Sequence, residues 1–403
     1  MHRVVVTGTG VVSAFGKGTE VFWRGVAAGT PAIRPLLGAY AEQIRFKNGA
    51  EFQDYVPEDH FAANEIGFMD RFAQFAVLAA REAIAGAGIE WTPELRETTA
   101  VITGSCLGGR TVEETGYWEL FHNRRNRVHP LTIPLSMSNA GASHICMQFG
   151  IGGPAYTIST ACASATHAIG QALWMVRSGA APMAITGGSE APFFLGGLKA
   201  WEAMRVISKD TCRPFSAERS GMVLGEGAAI LVLEPLESAL ARGARPLAEI
   251  VGFGMSADAG HITQPVSSGP FRAMRGALRD SGLAPEQIGY INAHGTATEA
   301  NDRVETAAIH CAFGAHAGKL AVSSTKSMHG HALGAAGALE AVASVLALKH
   351  GILPPTANFL TADPACDLDV IPNQARPLQV EACLSNSFAF GGLNAVLVFK
   401  AFP

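Results

Sequence analysis

The sequence predicts an α/β protein built on mostly buried strands, and three observations carry that reading. Short apolar, β-rich runs alternate with longer stretches whose apolar residues recur at helical spacing. Several strand runs are apolar throughout rather than alternating, as strands covered on both faces are. The balance of 48% hydrophobic to 16% charged residues over 403 positions allows an extensive core and argues against disorder.

Taken in order, "RVVVTGTGVV", "TAVITGS", "AYTIS", "MAITGGSE" and "AAILVLEPL" read as the strands of a first part. Residues 70–88, "DRFAQFAVLAAREAIAGAG", read as a helix with a glycine-rich stop. "ASATHAIGQALWMVRSG" follows "AYTIS" as a second helix ended by Gly179. The theme then recurs. "PLAEIVGFGMS", "IGYINAHG", "LAVSSTK", "ACLSNSF" and "NAVLVFK" are strands; "FRAMRGALRDSG" and "AGALEAVASVLALKHG" are helices, the latter stopped by Gly351. The echo between "VVVTGTGVVS" and "EIVGFGMSAD" places a division into 1–245 and 246–403, at "GARP", with no flexible linker.

A net charge of −4 does not suggest a dedicated nucleic-acid binder. No apolar run approaches membrane-spanning length, and no charged-then-apolar leader precedes the first strand, so a cytoplasmic protein is expected. Seven cysteines without CxxC spacing suit a reducing compartment and give no structural metal site.

"ISTACASATHAIG" places Cys162 at a strand-to-helix turn among small residues. There the helix dipole and free N–H groups favour a thiolate and can hold an oxyanion. A buried core cysteine is the plain alternative, and this stretch alone leaves the two even. "INAHGTATEAND" then puts His294 at a strand end, and "SSTKSMHGHALGAAGALE" puts Lys326 and His331 in a glycine-flanked turn. Strand ends are where α/β folds gather their sites, and Cys with two His and a Lys suits nucleophilic acyl chemistry.

In "TACASATH", "NAHGTAT", "STKSMHGHALGAAGALE" and "NSFAFGG", in that order, the chain resembles the β-ketoacyl-[acyl-carrier-protein] synthases, over nearly its whole length. The resemblance implies the thiolase fold, duplicated βαβαβαββ halves in five α/β/α/β/α layers. It implies a decarboxylative Claisen condensation: an acyl group on Cys162 is attacked by the enolate of malonyl-[acyl-carrier-protein], in fatty acid or polyketide/polyene elongation. His294 and His331 would donate Nε–H groups to the enolate oxygen. Lys326 and Glu340 would support them, and Phe390 would be a gate whose N–H joins that of Cys162 in the oxyanion hole. Thr296 and Thr298 would bond a pantetheine arm, with Phe388 supporting. Arg124, Arg125 and Arg127, with Arg71 and Arg205, would dock the acidic carrier protein. Leu107, Thr132 and Met222 would line the acyl pocket. No cofactor or metal is expected, since substrates ride on carrier phosphopantetheine. The partner is a second copy or a chain-length-factor-like subunit, with no nucleic acid and no membrane.

The chain departs from the family at two loops. "AFGGLN" has Ala389 and Leu393 where the gate loop usually has glycine and threonine, and "FSAERSGM" has Ser216, Ser220 and Met222 in place of two acids and an aromatic. These loops normally work against each other, so a linked change is expected, with Ala389 restricting the gate. Small, polar Thr132 suggests a pocket shaped for something other than a plain saturated chain. Gly67 and Phe68 stand where relatives often carry a basic pair. A silent chain-length-factor-like subunit, a coenzyme-A thiolase, a scaffold and a cysteine hydrolase are the alternatives. The presence of Cys162, His294 and His331, and the lack of a thiolase motif around Cys383, weigh against the first two.

Overall fold

The computed structural model describes every residue of the chain except Ala39. Ten strands carry the architecture: β1 (Val4–Ser13), β2 (Ala100–Gly104), β3 (Ala155–Ile158), β4 (Ala184–Glu190), β5 (Gly227–Pro235), β6 (Ala248–Ala257), β7 (Ile288–Asn292), β8 (Ala321–Ser323), β9 (Ala382–Ala389) and β10 (Leu393–Ala401). Their spatial order is β8-β7-β9-β10-β6-β1-β5-β4-β2-β3. Counted within each half, both sets run third-second-fourth-fifth-first. In both, the first three strands are parallel and the last two antiparallel to their neighbours. The fold is thus a duplication, and the halves join where Val4–Val6 pair antiparallel with Ala248–Ile250.

Eight helices matter for the site: α1 (Arg71–Ala87), α2 (Arg110–Phe121), α3 (Ala140–Phe149), α4 (Ser164–Ser178), α5 (Leu195–Met204), α6 (Ser268–Ser281), α7 (Glu299–Phe313) and α8 (Ala336–His350). Three cores separate five layers. The outer core of the first half packs Phe72, Phe75 and Ile145 against Ile185, Ile230 and Val232. The middle core packs Ile169 and Leu173 of α4 with Val342 and Leu346 of α8, against Leu231 of one half and Leu397 of the other. The outer core of the second half packs Met274 and Ile309 against Ile291, Leu384 and Val398. Ile230 and Val232 face outward while Leu231 and Leu233 face the middle, the period of two that a doubly covered strand requires. The stretch Leu333–His350, long and apolar enough by composition alone to cross a membrane, is 89% buried in this middle layer, as the core helix of a folded domain is.

Local chemistry sets the helix ends. Asp70 caps α1 by accepting the Phe72 N–H at 3.2 Å, and Gly88 ends it in the left-handed region at φ 63°. The glycines of "TGTG" in β1 are demanded by packing, because a Cβ at Gly10 would overlap the carbonyl of Ala79 in α1.

Candidate active site

The turn between β3 and α4 carries Cys162. Ala161 is in the left-handed region at φ 48°, a costly conformation for alanine that throws the next side chain out of the turn. Ser164 holds it: its Oγ accepts from Thr160 N–H at 2.9 Å and donates to the Ala161 carbonyl at 2.6 Å. His167, the nearest histidine in sequence, also serves this turn, contacting the Ala163 carbonyl and Thr160 Oγ1 at 3.0 Å each.

The ends of β7 and β8 in the second half bring the other groups to the same place. The Sγ of Cys162 and the nearest ring nitrogens of His294 and His331 all lie within 4.8 Å of one another, and His331 Nε2 is 3.1 Å from the sulfur. All three residues are buried. The His331 Nδ1 accepts the Leu333 N–H at 3.3 Å, and the His294 Nδ1 faces the Lys326 ammonium at 3.3 Å. Both Nδ1 atoms are therefore acceptors, and each ring carries its hydrogen on Nε2. Burial, reinforced by the charge of Lys326, pushes both histidines well below their usual range, so both are neutral donors. The same tautomers make the trio a poor metal site. A metal at either Nε2 would move the proton to Nδ1, opposite a donor.

Lys326 is the strut beneath. It donates to the His294 carbonyl at 2.7 Å and pairs with Glu340, both side chains fully buried. Burial pushes the Glu340 carboxyl up to about 7, against the pull of Lys326. Burial also dominates at Cys162. Its thiol is pushed up to about 11, although the Lys326 charge and the N–H groups of Phe390 and of Cys162 itself favour the thiolate. Cys162 thus rests as a thiol rather than the dipole-stabilised thiolate expected at a helix start, because desolvation outweighs the helix end.

Cys162, His294, His331, Thr296, Thr298, Met222, Phe388 and Phe390 line one cavity of about 120 Å³. Thr296 and Thr298 share a hydroxyl contact of 2.9 Å. Leu107 packs, with Met222, Leu198, Leu224 and Leu333, in the apolar cluster adjoining that cavity. Thr132 does not join them: it lines a separate surface cavity with Arg125 and Arg127.

Arg71, expected among the docking arginines, is held by a buried acidic partner. It forms a two-pronged pair with the fully buried Glu226, at 3.0 and 2.6 Å, and lies over the rings of Tyr55 and Phe75. Arg124, Arg125 and Arg127 are exposed after α2, with Arg125 paired to Glu119 at 3.4 Å. Arg205, exposed at the end of α5, directly precedes Val206, which lines the Cys162 cavity. Lys199, Lys209 and Arg45 surround it at an adjoining cleft.

The gate loop also differs from expectation. Ala389 ends β9 in extended backbone, and the positive φ values fall on Gly391 and Gly392, so alanine at 389 costs no strain here. The loop's backbone partner is the segment 258–266, not "FSAERSGM". Gly391 N–H donates to the Ile262 carbonyl at 2.7 Å, and Asp258 N–H to the Gly392 carbonyl at 2.8 Å. Ser216 and Ser220 bond elsewhere, to Glu218 and Ser208.

Sequence reasoning missed two supports. Glu305 accepts the N–H groups of His294 and Gly295 at 2.9 and 2.8 Å and an amide hydrogen of Asn386 at 3.1 Å, pinning the His294 turn. Glu190 accepts from Leu107 N–H and Gly334 N–H at 3.1 Å each, tying the pocket wall to the loop of His331. The only signal was an acid ending the small-residue run "TGGSE" at Glu190; Glu305, in "NDRVETAA", looks like one more charged helix residue.

Residues 1–239 match the N-terminal domain of beta-ketoacyl synthases and residues 247–360 the C-terminal domain. A nodulation protein E from Rhizobium sp. (strain N33) is 46% identical over 99% of both chains. A 3-oxoacyl-[acyl-carrier-protein] synthase 2 from Staphylococcus aureus (strain COL) is 41% identical over 99% of this chain and 98% of that protein. Among solved structures, the ishigamide ketosynthase/chain length factor superposes with a TM-score of 0.94 at 38% identity, each chain covered fully.

Proposed function

Because this chain belongs to the beta-ketoacyl synthase family, we propose that it elongates acyl chains by decarboxylative condensation at Cys162. The observation that carries this is the trio itself, one thiol facing two neutral Nε2–H donors in one cavity. In the first step the Cys162 sulfur attacks the thioester carbonyl of an acyl-carrier protein. The N–H groups of Cys162 and Phe390 face the tetrahedral oxyanion, and the thiol proton leaves on the carrier's pantetheine sulfur. In the second, malonyl-carrier protein loses CO2, and the Nε2–H groups of His294 and His331 bond the enolate oxygen. The enolate carbon attacks the acyl-Cys162 carbonyl, the C–S bond breaks, and the departing thiolate takes from bulk water the one proton that the reaction consumes. The product is β-ketoacyl-carrier protein.

The acyl chain fits the apolar cluster of Leu107, Leu198, Met222 and Leu333, and the pantetheine arm fits the Thr296–Thr298 side. Neither step calls for a metal or redox cofactor. Arg205 and Lys209, in the cleft beside Val206 of the cavity wall, offer an acidic carrier its counter-charges; Lys199 in the same cleft is already paired with Glu202 at 3.3 Å. A second subunit has a ready surface: among the described residues β3 pairs on one side only, and Tyr156 on it and Met147 on the helix α3 packed against it are exposed. We place this dimer in the cytoplasm, serving fatty acid or polyketide elongation. Incubation with acyl- and malonyl-carrier proteins tests the reading: release of CO2 with a β-ketoacyl product two carbons longer supports it. Cleavage of acyl-carrier protein to free acid, with no extended product, would overturn it in favour of a hydrolase.

A further inference from the structure

The ring of Phe390 stacks on the indole of Trp201, with centroids 6.2 Å apart and planes 24° from parallel. Phe390 lines the Cys162 cavity and presents its N–H to the sulfur. Two glycines in the left-handed region, Gly391 and Gly392, follow it and make the turn that aims its ring. Trp201 stands on α5 and is only half-buried, yet it packs against the same apolar cluster that holds Leu107, Met222 and Leu333. One side chain therefore touches both the wall of the acyl pocket and the ring that covers the nucleophile.

We propose that Trp201 is the resting seat of Phe390 and senses acyl chains. An acyl group on Cys162 that reaches the cluster displaces the indole and removes the stacking surface. It thereby frees Phe390 to admit malonyl-carrier protein. Trp201 is thus a positioning residue that couples decarboxylation to prior loading and sets a lower limit on acyl length. The inference rests on the ketosynthase reading, and its test separates the two.

Malonyl-carrier protein decarboxylation is measured with no acyl donor, with acetyl- and with decanoyl-carrier protein, in wild type, Trp201→Phe and Trp201→Ala. Cys162 loading is followed by intact mass. The wild type should decarboxylate slowly unless decanoyl is loaded. Loss of one aromatic pair should raise the unprimed rate, relative to the decanoyl-primed rate, by about two- to twelvefold in Trp201→Ala. Trp201→Phe, which keeps a ring, should stay within about twofold. Trp201→Leu keeps bulk without stacking and serves if the alanine variant does not fold; it should behave as alanine does. Equal primed-to-unprimed ratios in all the variants, with Cys162 loading normally, would overturn the role of Trp201 and leave the ketosynthase reading standing. Failure of wild type to load any acyl group would overturn that reading itself.

Discussion

Replacing His294 isolates one of the two enolate donors without touching the sulfur, because the 3.1 Å contact to Sγ belongs to His331. Loss of one preorganised donor of this kind slows the step it serves by about 10²–10³, or about 2.7–4 kcal/mol. The Lys326 ammonium at His294 Nδ1 means that only Nε2 can donate. A glutamine side chain carries its NH2 close to the place of Nε2, whereas an asparagine amide reaches only the place of Nδ1. His294→Ala and His294→Asn should therefore lose decarboxylation by about a hundredfold or more, and His294→Gln should retain a measurable share. The assay is CO2 release from malonyl-carrier protein, with Cys162 loading by acyl-carrier protein measured in parallel. Loading should stay within a few-fold of wild type in all three. Equal loss of loading and decarboxylation would refute the division of labour. Better activity in Asn than in Gln would refute the tautomer.

With its thiol held near 11, only about one Cys162 in ten thousand is thiolate at pH 7. Alkylation by iodoacetamide should rise about tenfold per pH unit through pH 9, and a plateau by pH 8 would contradict a buried, unactivated thiol. Glu340 is raised to about 7, so the stability it contributes is present at low pH and is lost as pH rises through that value; removing Lys326 raises it further. The melting-temperature gap between wild type and Lys326→Ala should be steady below about pH 7 and widen above it, and a gap that narrows by pH 8.5 would contradict the pairing. Arg71→Ala breaks a buried pair with Glu226 and should cost about 3–5 kcal/mol by denaturant unfolding with KM for carrier protein little changed. Arg205→Glu should do the reverse, and an Arg71 variant of native stability but raised KM would restore Arg71 to the dock.

All ten strands β1–β10 of the main sheet and the helices of the buried layers were legible because their residues are apolar on every face that the neighbouring layer covers. The two halves' common strand order was visible only as the faint echo between Val4–Ser13 and Glu249–Asp258. The helices Arg110–Phe121, Ala140–Phe149, Leu195–Met204 and Glu299–Phe313 were not read. The first leaves Tyr117, Trp118 and Phe121 exposed, and the last buries Asp302 and Glu305, so neither shows a clean apolar stripe. The trio of Cys162, His294 and His331 was legible through its motifs; the pairing of Arg71 was not, because a lone arginine in sequence does not reveal Glu226, 155 residues away. The thiol's state was misjudged for a similar reason. A helix start is local and visible, whereas desolvation is imposed by both halves together.

The most direct test of the central claim is intact-protein mass after incubation with acyl-carrier proteins of several chain lengths, comparing wild type with Cys162→Ala. Wild type should gain the mass of one acyl group, and Cys162→Ala should gain none. An acyl adduct on the Cys162→Ala protein, or wild type that stays unmodified with every donor both alone and alongside a co-expressed homologous subunit, would contradict Cys162 as the nucleophile.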